Sequence, residues 1–269
     1  MIKKAYWRGA LSQKSKDRIG KYVLIPIGKT KYILSKPLRK SIQKKYEKIT
    51  SNQSNIYVRT DYPVAIKSPD HLYPFGTKQD NSQNLEFNEK FYEIAKELNY
   101  ATPYRILDLG CAGGGMVQSF VKDGKLAIGL EGSDYCKKHK QFAWYFIPHN
   151  LFTCDISKPF TVYEGELPMN FDLITCWEVL EHIKEEDLPV LLKNIKSHLN
   201  GIFICSIAHE SSKQNGVELH QTIRPIEWWD SMFSSYGFER REDIEKKFNN
   251  TFVRMEKFST NRVYEIRGK

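Results

Sequence analysis

A glycine-rich loop between a short apolar run and a helical pattern constrains the fold of this 269-residue chain more than any other feature. The loop, Gly110-Cys-Ala-Gly-Gly-Gly115, follows the apolar run Arg105–Leu109 and opens a helical pattern over 114–122. Glycines allow positive φ angles and let a ligand approach the backbone closely. The first turn of a helix adds free amides and the positive end of the helix dipole. This order of elements predicts a ligand site, although nucleotide-binding proteins of many kinds share it.

The alternation of strand and helix continues on both sides of this loop. Strands are predicted at 105–109, 126–130, 151–154, 171–176 and 201–207, and helices at 84–98, 114–122, 133–145, 186–199 and 225–236. Such alternation predicts an α/β fold with a doubly wound, mostly parallel sheet. The β-prone stretches 252–258 and 262–266 have no helix between them. We therefore predict a C-terminal antiparallel strand pair that closes the sheet.

The first 75 residues follow a different pattern. Two β-prone runs, 22–27 and 31–34, flank Gly28-Lys29-Thr30 and predict a hairpin. A short basic helix is predicted over 35–48, and residues 49–84, rich in Ser, Asn, Asp, Pro and Gly, are predicted to be an irregular connection. The predicted organisation is a small basic N-terminal extension, residues 1–75, followed by the main domain, residues 76–269.

The positive charge is concentrated in that extension. Residues 1–50 contain 15 lysines and arginines against two acidic residues, whereas the remainder contains 26 basic and 30 acidic residues. A segment of this kind can meet an anionic partner, such as phosphate, a membrane surface or nucleic acid. The alternative is a solvated lysine-rich surface.

The five cysteines are odd in number and lack Cys-x-x-Cys spacing, so we expect structural thiols. No apolar run approaches the ~20 residues that span a bilayer, and the N-terminal sequence has no secretory apolar segment. A cytoplasmic protein without an integral membrane segment is the expectation. The oligomeric state stays open.

The residues around the glycine loop resemble the class I S-adenosylmethionine-dependent methyltransferase family. The family's first motif is Asp/Glu-x-Gly-x-Gly-x-Gly, and this chain has Asp108-Leu-Gly110-Cys-Ala112-Gly-Gly114, with Ala112 in place of the middle glycine. The resemblance implies a Rossmann-like sheet and S-adenosylmethionine as the cofactor, with S-adenosylhomocysteine as the product. The loop would pack against the amino-acid end of the cofactor, and Asp108 would help to hold it.

Three further landmarks follow in the family's order, and the resemblance covers about residues 85–240. Glu131 ends the next predicted strand, where a family acid accepts hydrogen bonds from the ribose hydroxyls. Asp155 occupies the position near the adenine amino group, or else caps a turn. Residues 171–183 match the fourth strand and the Glu-Val-Leu-Glu-His segment of small-molecule and sugar-type members. The implied cofactor residues are Asp108, Gly110, Cys111, Ala112, Gly114, Glu131, Gly132, Asp155, Ile156 and Trp177.

Catalysis of methyl transfer depends on alignment and desolvation, because the sulfonium is already a strong donor. A hydroxyl acceptor is helped by a general base, for which histidine is the usual choice near neutral pH. His182 and Glu181 follow the fourth predicted strand, at the edge of the sheet where ligands bind, and His220 follows the fifth. We predict His182 as the base, with His220 as the second candidate. Histidines that only pack or bond to backbone remain the alternative for both. The expected acceptor is a small-molecule or sugar hydroxyl, including one linked to a glycan.

Two further expectations concern the surroundings of this site. Residues 70–77 could fold over the cofactor as a lid, with Tyr73 and Phe75 covering it, although turns and helix capping are the simpler explanation. The acids and histidines show no metal-ligand spacing along the sequence, so metal-independent transfer is expected.

Three other functions remain open at this point. A nucleotide-binding oxidoreductase would have Gly-x-Gly-x-x-Gly, but Ala112 stands at the second glycine. A regulatory protein could have kept the cofactor fold and lost catalysis. A nucleic-acid methyltransferase could use the basic extension as a phosphate clamp. Against the last, Thr175-Cys-Trp-Glu178 replaces the Asn/Asp-Pro-Pro-Tyr/Phe motif of many amino-methylating DNA enzymes.

Overall fold

The computed structural model describes residues 23–27, 30–34, 36–50, 55–74, 76–77, 85–253 and 259–268. The strands of these residues are β1 (Val23–Ile27), β2 (Thr30–Leu34), β3 (Ile56–Arg59), β4 (Arg105–Leu109), β5 (Leu126–Glu131), β6 (Leu151–Thr153), β7 (Thr161–Glu164), β8 (Leu167–Pro168), β9 (Phe171–Trp177), β10 (Leu199–Ala208), β11 (Lys213–Gln214), β12 (Val217–Glu218), β13 (Phe238–Arg240) and β14 (Ser259–Ile266). Seven of them form the central sheet, in the order β13-β14-β10-β9-β4-β5-β6.

Helices cover both faces of this sheet. The α-helices are α1 (Lys36–Thr50), α2 (Pro69–Leu72), α3 (Leu85–Glu97), α4 (Gly115–Lys122), α5 (Tyr135–His139), α6 (Leu188–His198), α7 (Ile226–Ser235) and α8 (Glu242–Phe248). Short 3₁₀ helices lie at Phe142–Tyr145, Leu180–His182, Glu185–Asp187 and Asn249–Thr251.

The middle of the sheet is parallel and buried on both faces. β10, β9, β4, β5 and β6 are parallel neighbours, and the interior residues of β4, β5, β9 and β10 are buried. Burial on two sides explains why these strands are almost continuously apolar. Leu107 and Ile128 belong to the apolar cluster on one face, and Ile106 and Ala127 to the cluster on the other. The predicted doubly wound α/β sheet is confirmed.

The C-terminal antiparallel pair exists, but its partners differ from the prediction. β14 pairs with β10 on one side and with β13 on the other, both antiparallel. The predicted partner, 252–258, does not form a strand at Phe252 and Val253, and 254–258 lies outside the described residues. The true partner, Phe238–Arg240, has three residues and only one fully buried position, so its sequence carries almost no alternating pattern.

The helix predicted over 133–145 is divided in two. α5 ends at His139, its C-cap Lys140 has a φ of 47°, and Phe142 has a φ of 50°. A left-handed residue cannot continue an α-helix, so the chain turns and forms a separate 3₁₀ helix at Phe142–Tyr145. The apolar spacing persisted through the break because both pieces face the same core.

In the N-terminal region, the predicted hairpin and basic helix are confirmed. β1 and β2 pair antiparallel, and α1 follows them. On α1, Ile42, Tyr46 and Ile49 pack against the core, whereas Lys40, Lys44 and Lys45 are exposed.

Residues 49–84, however, are not simply an irregular connection. Ile56–Arg59 forms β3, which pairs antiparallel with β7 in a three-stranded sheet that β8 completes. α2 follows, with Ser68 as its cap. The strand was missed because only Ile56 of its four residues is fully buried, and a pairing with residues more than 100 positions away leaves no local signal. Residues 78–84 lie outside the described ranges.

Within the described ranges, no helix combines the length and the apolar character that crossing a lipid bilayer requires.

A buried histidine ties the small sheet to α6 and makes stability depend on pH. The Val162 amide donates to His198 Nε2 at 3.1 Å, and His198 Nδ1 donates to the Asn194 carbonyl at 2.8 Å. Burial lowers the pKa of His198 below 6.5, against the smaller opposing effect of the Asn194 bond. The neutral ring therefore stabilises the fold fully above pH 6.5, and this contribution is lost as the pH falls through the lower folded-state pKa.

We expect the substitution His198→Gln to flatten this dependence, because its amide oxygen can accept from Val162 without titrating. In urea unfolding, the free energy of unfolding of the wild type should fall more steeply with acidity than that of the variant, by at most about 1.4 kcal/mol per pH unit. Parallel profiles for the two proteins would contradict a titrating role for His198.

Candidate functional site

Two close contacts dictate the shape of the glycine loop. Gly110 has a φ of 74°, and a Cβ there would lie 2.3 Å from Cγ2 of Val179. Gly114 has a φ of 80°, and a Cβ there would lie 2.6 Å from Cδ1 of Leu151. Both positions therefore require glycine for backbone conformation and for space. The loop is held between the segment that follows β9 and the start of β6.

Glu131 connects this loop to the end of β5. Its Oε2 accepts from the Ala112 amide at 2.7 Å, and its Oε1 accepts from the Ser133 amide at 2.9 Å. Ala112 itself has a φ of 45°. Burial raises the pKa of Glu131 to about 7, although the two amide bonds act in the opposite direction. A carboxylate offers about four lone-pair sites, so both oxygens can still accept from a vicinal diol.

Three other predicted residues lie below the loop, in the core. Asp108 is buried, and its Oδ1 accepts from Thr175 Oγ1 at 2.7 Å. Cys111 packs its thiol against Gly129, where a Cβ would lie 2.7 Å from Sγ. Trp177 donates from Nε1 to Met116 Sδ at 2.9 Å. Asp108 and Trp177 thus lie below the glycine loop near the carboxyl ends of β4 and β9, whereas the Cys111 side chain packs on the sheet.

The predicted adenine-side residues have structural partners of their own. Asp155 Oδ1 accepts from the Ser157 amide at 3.1 Å and from Ser157 Oγ at 2.6 Å, so this oxygen caps a turn. Ile156 is buried. The Gly132 carbonyl accepts from the Ala65 amide at 2.9 Å, which brings the N-terminal region to the end of β5.

The chain leaves β9 through a constrained residue. Glu178 has a φ of 56°, which is uncommon for a residue with a side chain. Its amide donates to Ser206 Oγ at 3.0 Å, and Ser206 Oγ donates to Glu178 Oε1 at 2.7 Å. This exchange with β10 holds the turn and directs the 3₁₀ helix Leu180–His182 to the carboxyl edge of the sheet.

Glu181 is completely buried in this helix. Its Oε1 accepts from the Ala208 amide at 3.2 Å, while Oε2 has no hydrogen-bond partner among the described residues. The Glu181 carbonyl accepts from the Gln221 amide at 2.7 Å and from the Thr222 amide at 2.9 Å. These two bonds draw in the loop after β12, which carries His220.

Glu181, His182 and His220 converge. One possible ligand atom from each lies within 4.8 Å of the others, and the two imidazole rings are 4.6 Å apart between centroids. His182 Nδ1 bonds to Asp70 Oδ2 at 2.8 Å, and His220 Nδ1 bonds to the Glu210 carbonyl. Because both acceptors are oxygens without a proton, each Nδ1 is the donor, and in the neutral ring each Nε2 keeps its lone pair.

This arrangement fits a divalent cation. Imidazole nitrogen and carboxylate oxygen are ordinary ligands of Zn²⁺ and Mn²⁺-type ions, and metal-binding histidines usually donate their other N–H to a carboxylate or carbonyl. The unpartnered Glu181 Oε2 is a further sign, because a buried polar atom without a hydrogen bond is costly. The linear sequence lacked ligand spacing, but the fold brings His220 back to His182.

Burial and neighbouring charges shift the pKa values of all three residues of the cluster. Burial raises the pKa of Glu181 to about 8. Burial lowers the pKa of His182, but the hydrogen bond to Asp70 and the neighbouring carboxylates outweigh it, so this pKa lies above 6.5. Burial and the nearby His182 together lower the pKa of His220. His182 is therefore the more readily protonated of the two histidines.

The three catalytic candidates lie together at one edge of the sheet, as the sequence predicts, and Asp70 joins them as a partner of His182. The sequence indicates Asp70 only as part of a possible lid, because no sequence pattern relates it to a residue 112 positions away. Tyr73 is half-buried, and Phe75 lies outside the described residues. His209 stands apart from the cluster, with Nε2 bonded to Thr260 Oγ1 at 2.6 Å.

Comparison with known proteins identifies the domain. Residues 82–251, more than half of the chain, match the family described as "Methyltransferase domain". The chain is 30% identical over 133 residues to the mitochondrial ubiquinone biosynthesis O-methyltransferase of Schizosaccharomyces pombe, which covers 47% of this chain and 44% of that protein. It is 25% identical over 111 residues to the small RNA 2'-O-methyltransferase of Xenopus tropicalis, over 38% and 30% of the two chains. The chain thus spans less than half the length of these curated relatives.

The fold of this chain also resembles that of a solved structure. A crystal structure of an S-adenosylmethionine-dependent methyltransferase from Clostridium acetobutylicum superposes with a TM-score of 0.50, at 14% identity, over 69% of this chain and 93% of that one. At this identity the likeness concerns the fold alone. The matched family domain shows that this chain belongs to the class I S-adenosylmethionine-dependent methyltransferase family, whose cofactor is S-adenosylmethionine.

Proposed function

We propose that this chain transfers a methyl group to a hydroxyl oxygen of a small molecule or sugar, and that Glu181, His182 and His220 bind a divalent cation at the acceptor site. The observation that carries the proposal is the convergence of these three side chains at the carboxyl edge of the sheet. The segment that carries Glu181 and His182 packs on the glycine loop, since a Cβ at Gly110 would lie 2.3 Å from Cγ2 of Val179, so the cluster is close to the cofactor residues. Both curated relatives are named O-methyltransferases, which supports an oxygen acceptor.

In this proposal, the chain's own residues hold and orient the cofactor. S-adenosylmethionine, when bound, supplies a methyl group on a sulfonium that needs no further activation. Glu131 accepts from the ribose hydroxyls, and the glycine loop, which Glu131 holds through the Ala112 amide, packs against the amino-acid end. Asp108 and Trp177, held by Thr175 and Met116, form a rigid floor beneath the cofactor.

The acceptor side depends on the cluster. A bound cation would lower the pKa of an acceptor hydroxyl and fix its oxygen in place. Because each Nδ1 and Glu181 Oε1 are already bonded, Nε2 of the two neutral rings and Glu181 Oε2 are the atoms that would bind the cation. Glu181 must be ionised for this role, which opposes its raised pKa and makes the site depend on the cation's positive charge.

A cation explains the cluster better than a base alone. If His182 were only the general base, Nε2 would need access to the acceptor, but neither the buried Glu181 nor the second imidazole would be required. The original prediction of His182 as a base nevertheless uses the same Nε2 atom. Treatment with a chelator distinguishes the two mechanisms, because only the first needs a bound cation.

A second candidate acceptor is a ribose hydroxyl of RNA. One relative is named a small RNA 2'-O-methyltransferase, and α1 exposes Lys40, Lys44 and Lys45 on the surface of this domain. Basic side chains bind phosphates with an affinity that falls steeply with salt. Methylation of oligonucleotides that declines sharply with salt, without methylation of phenols or sugars, would favour this acceptor.

The role of Glu131 predicts a pH-dependent affinity for the cofactor product. Ionised Glu131 accepts from ribose hydroxyls and protonated Glu131 accepts less well, so the affinity for S-adenosylhomocysteine should be full above pH 7 and should fall below it. The fall should approach tenfold per pH unit. Isothermal titration calorimetry over this range measures it, with NADH as a ligand that should not bind.

Glu131→Gln is the variant of nearly the same size, and it loses the titration together with one of the two bonds from backbone amides, because its amide nitrogen cannot accept. At pH 8 we expect the variant to bind S-adenosylhomocysteine at least about tenfold more weakly than the wild type, because charge-assisted hydrogen bonds are lost. Its affinity should not change with pH. A wild-type profile as flat as that of the variant would remove Glu131 from ribose binding.

The cation predicts sensitivity to chelators. After EDTA treatment and its removal, turnover on the accepted substrate should be low and should return on addition of Mn²⁺. His220→Ala and Glu181→Gln should bind Mn²⁺ at least tenfold more weakly while binding S-adenosylhomocysteine normally. Binding of Mn²⁺ is followed by electron paramagnetic resonance.

The exposed His149 provides the control, since His149→Ala removes an imidazole away from the cluster. Full turnover of chelated wild-type enzyme would exclude the cation. In that case a loss of turnover in His182→Ala, with normal cofactor binding, would restore the base mechanism.

A further inference from the structure

A segment outside the matched family domain crosses the site. Residues 60–74, here called the strap, run from the end of β3 to α2. The strap is bonded to the carboxyl edge of the sheet at two points: the Asp155 amide donates to the Tyr62 carbonyl, and the Ala65 amide donates to the Gly132 carbonyl, each at 2.9 Å. Thr60 Oγ1 also donates to the Pro159 carbonyl at 3.0 Å. The strap therefore lies over the ends of β5 and β6.

The far end of the strap is shaped to present Asp70. Ser68 caps α2 by accepting from the Asp70 amide at 3.2 Å, and Pro69 occupies the first position of the helix. Both features suit a helix start. The cap engages the Asp70 backbone, so its carboxylate is left to bond His182 Nδ1 at 2.8 Å. The two side chains are only about one-fifth exposed, at 21% for Asp70 and 18% for His182.

This bond decides which nitrogen of His182 is available. A carboxylate can only accept, so Nδ1 carries the proton and Nε2 of the neutral ring keeps its lone pair. His220 is held in the same way by the Glu210 carbonyl. The two anchors differ in origin, because Glu210 lies inside the matched residues 82–251 and Asp70 lies before them.

We propose that Asp70 is a positioning residue for His182, and that the strap is a part of the active site that the chain supplies from outside its methyltransferase domain. The effect on metal affinity rests on the proposed function, whereas the effect on the His182 tautomer does not. An incidental surface ion pair is the competing explanation. An incidental ion pair would need neither a capped helix at Asp70 nor two further backbone bonds to the strap. It would also not need both partners to be partly buried.

The test compares Asp70→Ala with Asp61→Ala, which removes an exposed carboxylate from the same strap. In full-length, metal-free protein with ¹⁵N-labelled histidine, at a pH where the His182 ring is neutral, NMR of the wild type should show that ring protonated on Nδ1. Asp70→Ala should shift His182 to a mixture of tautomers, and Asp61→Ala should leave it unchanged. Asp70→Asn, whose amide oxygen still accepts, should retain the wild-type tautomer.

A second readout is Mn²⁺ binding. Asp70→Ala should weaken it 10- to 100-fold, while affinity for S-adenosylhomocysteine changes less than twofold, and kcat should fall without a change in KM for the cofactor. Wild-type tautomer and wild-type Mn²⁺ affinity in Asp70→Ala would overturn the proposal. If the wild type binds no Mn²⁺, the cation of the proposed function is excluded, and the tautomer and kcat measurements still decide the role of Asp70.

Discussion

The close approach of Gly110 to Val179 is the contact on which the site depends. With no Cβ at Gly110, the loop after β4 packs directly on the segment after β9, where a side chain would meet Cγ2 of Val179 at 2.3 Å. The loop that faces the cofactor and the segment that carries Glu181 and His182 are thereby joined side by side. A side chain at position 110 would push the two segments apart, because a densely packed core cannot absorb the added atoms. In the proposed function, this contact also places the cofactor residues beside the acceptor cluster.

Two buried carboxylates give this edge of the sheet its electrostatic character. Glu131 satisfies both oxygens with backbone amides, whereas Glu181 satisfies only one. Burial opposes ionisation of both, with pKa values of about 7 and about 8. Each carboxylate therefore favours a partner that supplies hydrogen bonds or positive charge. Ribose hydroxyls are suited to Glu131, and a cation shared with two imidazoles is suited to Glu181.

The histidines are held from opposite directions. The hairpin β11–β12 and the Glu181 carbonyl bring in His220 from the C-terminal half, and the strap brings Asp70 to His182 from the N-terminal region. Neither histidine is free to choose its tautomer, because each Nδ1 has an oxygen acceptor. Such outer bonds are what keep a reacting group within the small tolerance that transfer chemistry allows.

The sequence by itself determined the α/β sheet, the glycine loop and the acid at Glu131, because these depend on local features: buried apolar runs, required glycines and a fixed place after a strand. It also indicated Glu181, His182 and His220 as neighbours of one sheet edge. Tertiary structure decided the rest. The short strands β3 and β13, the pairing of Asp70 with His182 and the unpartnered oxygen of Glu181 arise from contacts between residues far apart in the chain. Such contacts leave no periodicity in the sequence, because each involves a few residues whose partners are brought close only when the sheet has formed.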